Sequence, residues 1–201
     1  MDASEWDERY CTAKLIWTAE ANQFVAEETE HLPPGHALDL AAGEGRNAIW
    51  LAQRGWRVTA VDFSQVALDK GRALAGSLDV ADRLEWICAD VVAWTPPPDR
   101  YDLIVIAYLH LPADDLRMAI GHAMTGLTPG GTMVVVGHDE ANLDGGTGGP
   151  QDPAVLYTPQ KVTAIVAAAG LTITKAVTVE RHTANGVALD TLVAATSPHQ
   201  K

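Results

Sequence analysis

Residues 36–64 read HALDLAAGEGRNAIWLAQRGWRVTAVDFS: a strand, a glycine turn, a helix and a second strand that ends in an acid. Ala37 to Leu40 is a short apolar run interrupted by one carboxylate, Asp39. Ala41-Ala42-Gly43-Glu44-Gly45 is small and permissive enough to turn sharply and to let a ligand lie against bare backbone. Asn47 to Gln53 has helical spacing, with Ile49, Leu51 and Ala52 on one side, and Arg54-Gly55 stops it. Arg57 to Val61 is then a β-branched strand that ends at Asp62. A strand–helix–strand unit of this length requires a parallel sheet, with the ligand beyond the carboxyl ends of the strands.

Gly43, Gly45 and Ala48 also fit the dinucleotide pattern G-x-G-x-x-[GA], with Asp62 about twenty residues further on. In either reading Asp62 accepts from the two ribose hydroxyls of an adenosine. The discriminating residues are Asp39 and Glu44. A pyrophosphate on a helix N-terminus disfavours carboxylates in the turn, whereas the ammonium and sulfonium of S-adenosylmethionine (SAM) favour them. The residues select SAM over a nicotinamide dinucleotide.

The segment resembles the nucleotide-binding core of the class I SAM-dependent methyltransferases. ALDLAAGEGRNAIWLA is similar to the small tellurite-resistance/thiopurine-type branch of that superfamily. Asp62 after the second strand, Ala89-Asp90 after the third and the turn Leu127-Thr128-Pro129-Gly130-Gly131 follow in the family's order. The resemblance implies an α/β fold: a doubly wound, mostly parallel seven-stranded sheet with an antiparallel last strand, one domain over 1–201. Within it, 1–35 form an N-terminal helical cap and 36–201 the core. It also implies cofactor contacts from Asp39, Ala41, Gly43, Gly45, Arg46, Asn47, Asp62 and Phe63. Asp90 and Val91 at the adenine, and Ala107 at the end of the fourth strand, complete that set.

The N-terminal segment is aromatic, and Trp6 and Tyr10 share one face of a helix at i,i+4 spacing. They either pin the arm to the core or, as in thiopurine-type relatives, fold over the cofactor, with Arg9 or Lys14 meeting its carboxylate. Thr18 to His31 reads as a helix with Phe24 and Val25 inward. Tyr101 to Ala107 is a near-continuous apolar run, as a central parallel strand requires, and leads into Tyr108-Leu109-His110. Thr132 to Val136 is the fifth strand, followed by Gly137-His138-Asp139-Glu140. The long glycine-rich stretch 141–158 reads as a lid. Leu171 to Val179 and Val187 to Ala195 form a closing hairpin around Asn185-Gly186.

Methyl transfer is an in-line displacement with a neutral thioether leaving, so the protein positions, desolvates and, for a protic acceptor, removes a proton. His110 and His138 follow neighbouring strands at the ligand edge and are candidate bases, with Tyr108 to orient the acceptor. The aspartates of metal-dependent catechol-type relatives are missing after the fourth strand, so no metal is expected. The Asn-Pro-Pro-Tyr-type signature of nucleic-acid amino methyltransferases is missing too. With a net charge of −12, this predicts a small-molecule acceptor (a thiol, hydroxyl or chalcogen) and no nucleic-acid or membrane partner.

The chain has 201 residues, 47% hydrophobic, enough for one packed α/β domain. It carries no apolar run of membrane length, and MDASEWDERY is not a signal peptide, so a cytoplasmic protein is expected. Cys11 and Cys88 do not make a disulfide framework, and Cys88 reads as core packing in an apolar strand. The rival readings are a non-catalytic SAM-binding module and a nicotinamide-dependent reductase.

Overall fold

The computed structural model describes residues 3–11 and 20–199. The strands are β1 (His36–Leu40), β2 (Arg57–Asp62), β3 (Leu84–Cys88), β4 (Tyr101–Ala107), β5 (Leu127–His138), β6 (Thr172–Thr183) and β7 (Gly186–Thr196). They form one sheet in the order β3-β2-β1-β4-β5-β7-β6. The first five run parallel, and β7 runs antiparallel to both β5 and β6. The helices are α1 (Ala3–Cys11), α2 (Gln23–Thr29), α3 (Arg46–Gln53), α4 (Gln65–Ser77), α5 (Ala113–Met124), α6 (Asn142–Gly145) and α7 (Pro159–Ala168).

The period-2 alternation of β4 shows how the two layers are made. Leu103 and Val105 pack with Phe24, Ile49, Leu51 and Ala75 from α2, α3 and α4. Ile104 and Ile106 pack on the opposite face with Leu116, Ile120, Val162 and Val166 from α5 and α7. Every one of these residues is buried, as a strand covered on both faces requires. Crossover connections put the carboxyl ends of β1, β2, β4 and β5 along one edge, where the order reverses between β1 and β4.

Several sequence expectations are revised. The helix expected over 18–31 is shorter: Asn22 caps it by accepting from the Phe24 and Val25 amides at 3.0 and 3.1 Å, and residues 18 and 19 lie outside the described set. Because Phe24 and Val25 enter the sheet's own core, α2 is part of the layered body. Strand β5 begins at Leu127, so the Pro129-Gly130-Gly131 turn is absorbed into it as an irregular start. The closing hairpin is tighter and longer than expected, with Thr183 paired to Gly186 across a two-residue loop. Cys88 is exposed rather than packed in the core, because β3 is the sheet's outer strand.

The stretch 141–158 is anchored rather than free. Asn142 donates to Gly148 O at 2.8 Å and accepts from Leu189 N at 2.8 Å, tying the stretch to β7. Tyr157 pairs with Asp139 in an isolated parallel bridge, is buried, and donates its hydroxyl to Leu109 O. Asp139 itself is satisfied by the Ala141 amide and by the hydroxyls of Thr178 and Thr191, at 2.9, 2.9 and 2.6 Å. These contacts tie the segment to β7 and to the segment after β4.

Candidate functional site

The glycine turn is held from two sides by carboxylates at strand ends. Asp62 Oδ2 accepts from Gly43 N at 2.8 Å and Oδ1 from Ser64 N at 2.9 Å, so one side chain fixes the turn and the start of α4. Asp39 Oδ2 accepts from Ala48 N at 3.0 Å, in the first turn of α3. Its Oδ1 is buried and has no hydrogen-bond partner among the described residues. Gly45 stands at φ 75°, and a Cβ there would lie 2.4 Å from the Trp86 ring, so both conformation and space demand glycine. Ala41 also has a positive φ, of 60°.

Burial shapes the charges. Asp39 is wholly buried, which lifts its carboxyl to about 7 against the pull of the Ala48 amide and Arg46. Burial also raises Asp62, with the Ser64 and Gly43 amides pulling it down and Asp7 pushing it up. Glu44 does not face the turn's ligand side as a spare carboxylate: it is buried and pairs with Lys70 of α4 at 3.2 Å. Of the two discriminating carboxylates, Asp39 alone keeps an unpartnered oxygen among the described residues.

Helix α1 lies against α4 beside this turn. Asp7 accepts from the Ser64 hydroxyl, Lys70 donates to Tyr10 O, and the Trp6 and Tyr10 rings stand 5.6 Å apart. The arm is thus placed beside the glycine turn and the start of α4. Lys14 lies outside the described residues, as does the Arg9 side chain. Asp90 is exposed and accepts from Val92 N at 2.9 Å, which makes the turn after β3, while Val91 is buried below it. Phe63 and Ala107 are half-buried at the ends of β2 and β4, and Phe63 O accepts a 3.4 Å contact from Cys88 Sγ.

A second group forms where β4, β5 and β7 meet. Tyr108, at φ 59°, donates its hydroxyl to Asp190 at 2.6 Å and accepts from Asn22 Nδ2 at 3.0 Å. Its ring lies between two guanidinium groups, Arg46 at 5.7 Å and Arg181 at 5.4 Å. Burial pulls the Arg46 guanidinium below its usual value and pushes the Tyr108 hydroxyl well above the phenol range. Asn47 is buried and accepts from Asn22 N at 2.9 Å, so it braces this group rather than the turn alone.

Tyr108, His110 and His138 are brought together as the sequence predicts, with ring centroids 5.1 Å apart for Tyr108–His138 and 5.4 Å for His110–His138. His110 Nδ1 donates to Val155 O at 2.9 Å, and its Nε2 accepts a long 3.4 Å contact from His138 N. Burial lowers this imidazole to about 4. An unfolded histidine takes up its proton near 6.5, so the stability contribution is complete above that pH. It is lost as pH falls from about 6.5 to about 4, and amounts to up to about 3 kcal/mol. Thermal melts between pH 7.5 and 4.5 should therefore show a steeper loss in the wild type than in His110→Gln. Parallel curves would show that His110 is charged in the folded chain.

Three residues of this group escape the sequence reading: Asn22, Arg181 and Asp190. Asp190 had a signal, a lone acid in the apolar strand GVALDTLVAAT, the same signature as Asp39 in β1. Burial alone would push its carboxyl up, but His138, Arg181 and Tyr108 hold it at about 2. Among the described residues no cluster of three or more His, Cys, Asp or Glu is placed to hold a metal ion, and no helix is long and apolar enough to cross a membrane.

Residues 37–131 match the family model described as a methyltransferase domain. The chain is 35% identical over 99 residues to a demethylmenaquinone methyltransferase of Clavibacter sepedonicus, a match covering 49% of this chain and 39% of that protein. It therefore spans well under half the length of that relative. Among solved structures, it superposes on the 1,6-didemethyltoxoflavin-N1-methyltransferase of Burkholderia thailandensis with a TM-score of 0.75 at 22% identity, covering 98% of this chain and 87% of that one. The N-methyltransferase NodS of Bradyrhizobium japonicum gives 0.73 at 20% identity, covering 98% and 100%. Both were solved with S-adenosylhomocysteine. Residues 37–131 are thus similar to a methyltransferase domain, and the described chain shares the seven-stranded Rossmann-like fold of these solved methyltransferases.

Proposed function

We propose that this chain transfers the methyl group of SAM to a small-molecule acceptor and releases S-adenosylhomocysteine. The observation that carries the reading is Asp39 Oδ1, a buried carboxylate oxygen without a partner beside a glycine turn already clamped by Asp62. An orphaned anionic atom in that place suits a cationic ligand and repels a pyrophosphate. In this reading the turn from Ala41 to Gly45 presents backbone to the cofactor, Asp62 takes the ribose, and Asp90 with Val91 takes the adenine. Arg46 and the arm carrying Trp6 and Tyr10 flank the methionine end. The group around Tyr108, at the end of β4, faces the methyl acceptor.

The sequence's finer likeness, to the tellurite-resistance/thiopurine-type branch, rests on ALDLAAGEGRNAIWLA. The acceptor is assigned to the small-molecule class because the chain is strongly acidic and its acceptor-side group is compact. The compartment assigned is the cytoplasm. A non-catalytic SAM-binding module is the second reading, favoured by the tight hydrogen bonding among the acceptor-side residues themselves.

S-adenosylhomocysteine should raise the melting temperature by several degrees at concentrations where NADH does nothing. Equal stabilisation by both would reject the cofactor. Conversion of SAM across a panel of small acceptors and an RNA control separates an enzyme from a module, and turnover of the RNA alone would reject the small-molecule assignment.

A further inference from the structure

Asp190 is fully buried on β7 and stands opposite His138, the last residue of β5, in the antiparallel register. Its Oδ2 accepts from Arg181 Nε at 2.7 Å and from the Tyr108 hydroxyl at 2.6 Å. Its Oδ1 is buried and otherwise unpartnered, and so is His138 Nδ1, yet the two atoms lie 3.2 Å apart. The pair is set at an angle too oblique for a well-formed hydrogen bond, but among the described residues no other group serves either atom. Two such atoms repel unless a proton stands between them, so Nδ1 carries it. That leaves Nε2 as the basic nitrogen, and no described residue hydrogen-bonds it.

His110 lacks this freedom, because Val155 O and the His138 amide engage its two ring nitrogens. The other charged or titratable groups facing His138 are Tyr108 and His110 from the segment after β4, and Arg181 of β6 acting through Asp190. Arg46 of α3 lies beyond the Tyr108 ring. From the stretch 141–158, Gly149 packs on the His138 ring at a place where a Cβ would come within 2.7 Å of it.

We propose that His138, oriented by Asp190, is the base that deprotonates the methyl acceptor, and that the acceptor is a protic oxygen or nitrogen nucleophile such as a phenol, an enol or a ring N–H. This rests on the methyltransferase reading above and narrows it, setting aside thiolate and chalcogen anions, which need no base. His138 Nε2 takes the O–H or N–H proton. The freed lone pair bonds to the methyl carbon as the carbon–sulfur bond breaks, its electrons going to sulfur. The products are the methylated acceptor, a neutral thioether and an imidazolium that returns its proton to solvent. Asp190 is a positioning residue: it fixes the tautomer and stabilises the imidazolium, while Arg181 and Tyr108 hold it in place.

Long-range proton–nitrogen spectra of the 15N-labelled protein at pH 7.5 test the geometry without any acceptor. His138, identified by its loss in His138→Gln, should show the Nδ1–H tautomer, and Asp190→Asn should shift it towards Nε2–H. An Nε2–H tautomer in the wild type overturns the proposal even if Asp190→Asn fails to fold. With a panel of phenols, enols, N–H heterocycles, thiols and selenides, turnover should fall on O–H or N–H acceptors. His138→Gln should then lower kcat by about 10²–10⁴-fold with S-adenosylhomocysteine affinity unchanged.

Asp190→Asn should lower kcat by about tenfold or more with KM little changed, and Asp190→Glu should restore part of both the activity and the Nδ1–H tautomer. Turnover confined to thiols and selenides, none on any O–H or N–H acceptor, or full activity in His138→Gln overturns it. If S-adenosylhomocysteine binds while only thiols are methylated, the methyltransferase reading stands and this inference falls. If the nucleoside does not bind at all, the methyltransferase reading itself fails.

Discussion

Asp62→Ala should weaken binding of S-adenosylhomocysteine by about a hundredfold while the chain stays folded. The carboxylate has two tasks that fail together. Each of its oxygens already accepts one backbone amide, Gly43 N at 2.8 Å and Ser64 N at 2.9 Å, and each keeps a lone pair for a ribose hydroxyl. Hydrogen bonds to a charged group are worth about 1.5–3 kcal/mol apiece, so losing two costs about 3 kcal/mol or more, and 1.4 kcal/mol is a factor of ten. The alanine variant also frees the glycine turn, whose backbone the ligand needs in one shape.

Folding survives because Ser64 still caps α4 through the Ala67 amide at 3.1 Å and the strand itself is held on both sides, by β1 and β3. Removing a buried carboxylate also relieves the desolvation that raises its pKa. Isothermal calorimetry on the folded variant is the measurement. Affinity within threefold of the wild type would show that Asp62 serves the turn alone and not a ribose.

The glycine turn and the strand–helix–strand unit around it could be read directly because they are local. Strand β1, the Gly43–Gly45 turn, α3 and β2 follow one another within thirty residues, and their chemistry follows from spacing. What escaped was non-local. Asp190 and Arg181 acquire meaning only through the antiparallel register that sets Asp190 opposite His138 and the twelve-residue β6 that carries Arg181 across to it. Glu44 read as a spare negative charge in the turn because sequence could not show Lys70 reaching it from the next helix, 26 residues on. Cys88 looked like core because its neighbours are apolar, whereas strand order puts β3 at the edge. The glycine-rich stretch 141–158 reads as a lid, and its anchors are not visible in its composition. The buried side chains of Asn142 and Tyr157 anchor it, and their partners lie on β7 and before α5.

Asp39 should make cofactor binding depend on pH in a way that no other residue here would. In the free chain its carboxyl titrates at about 7 because burial outweighs the Ala48 amide and Arg46. A cationic ligand beside its unpartnered Oδ1 favours the ionised form, so binding below pH 7 must first expel a proton. Affinity should then fall by about tenfold for each pH unit below 7 and level off above it. Binding is therefore strongest above about pH 7.

Calorimetry at pH 6 in buffers of different ionisation enthalpy should report close to one proton released per S-adenosylhomocysteine bound. In Asp39→Asn the acid dependence should vanish, and affinity at pH 7.5 should drop by about tenfold or more, because the ammonium loses its counter-charge while the Ala48 amide keeps an acceptor. The same residue also works against the fold. Its raised carboxyl stabilises the folded chain fully below the unfolded value of 3.8 and ceases to do so as pH rises through about 7. Asp39→Asn should accordingly melt higher than the wild type at pH 8 and alike at pH 4. A variant less stable at pH 8, with the acid dependence of binding intact, would mean that the buried charge belongs to the fold and that another group meets the cation.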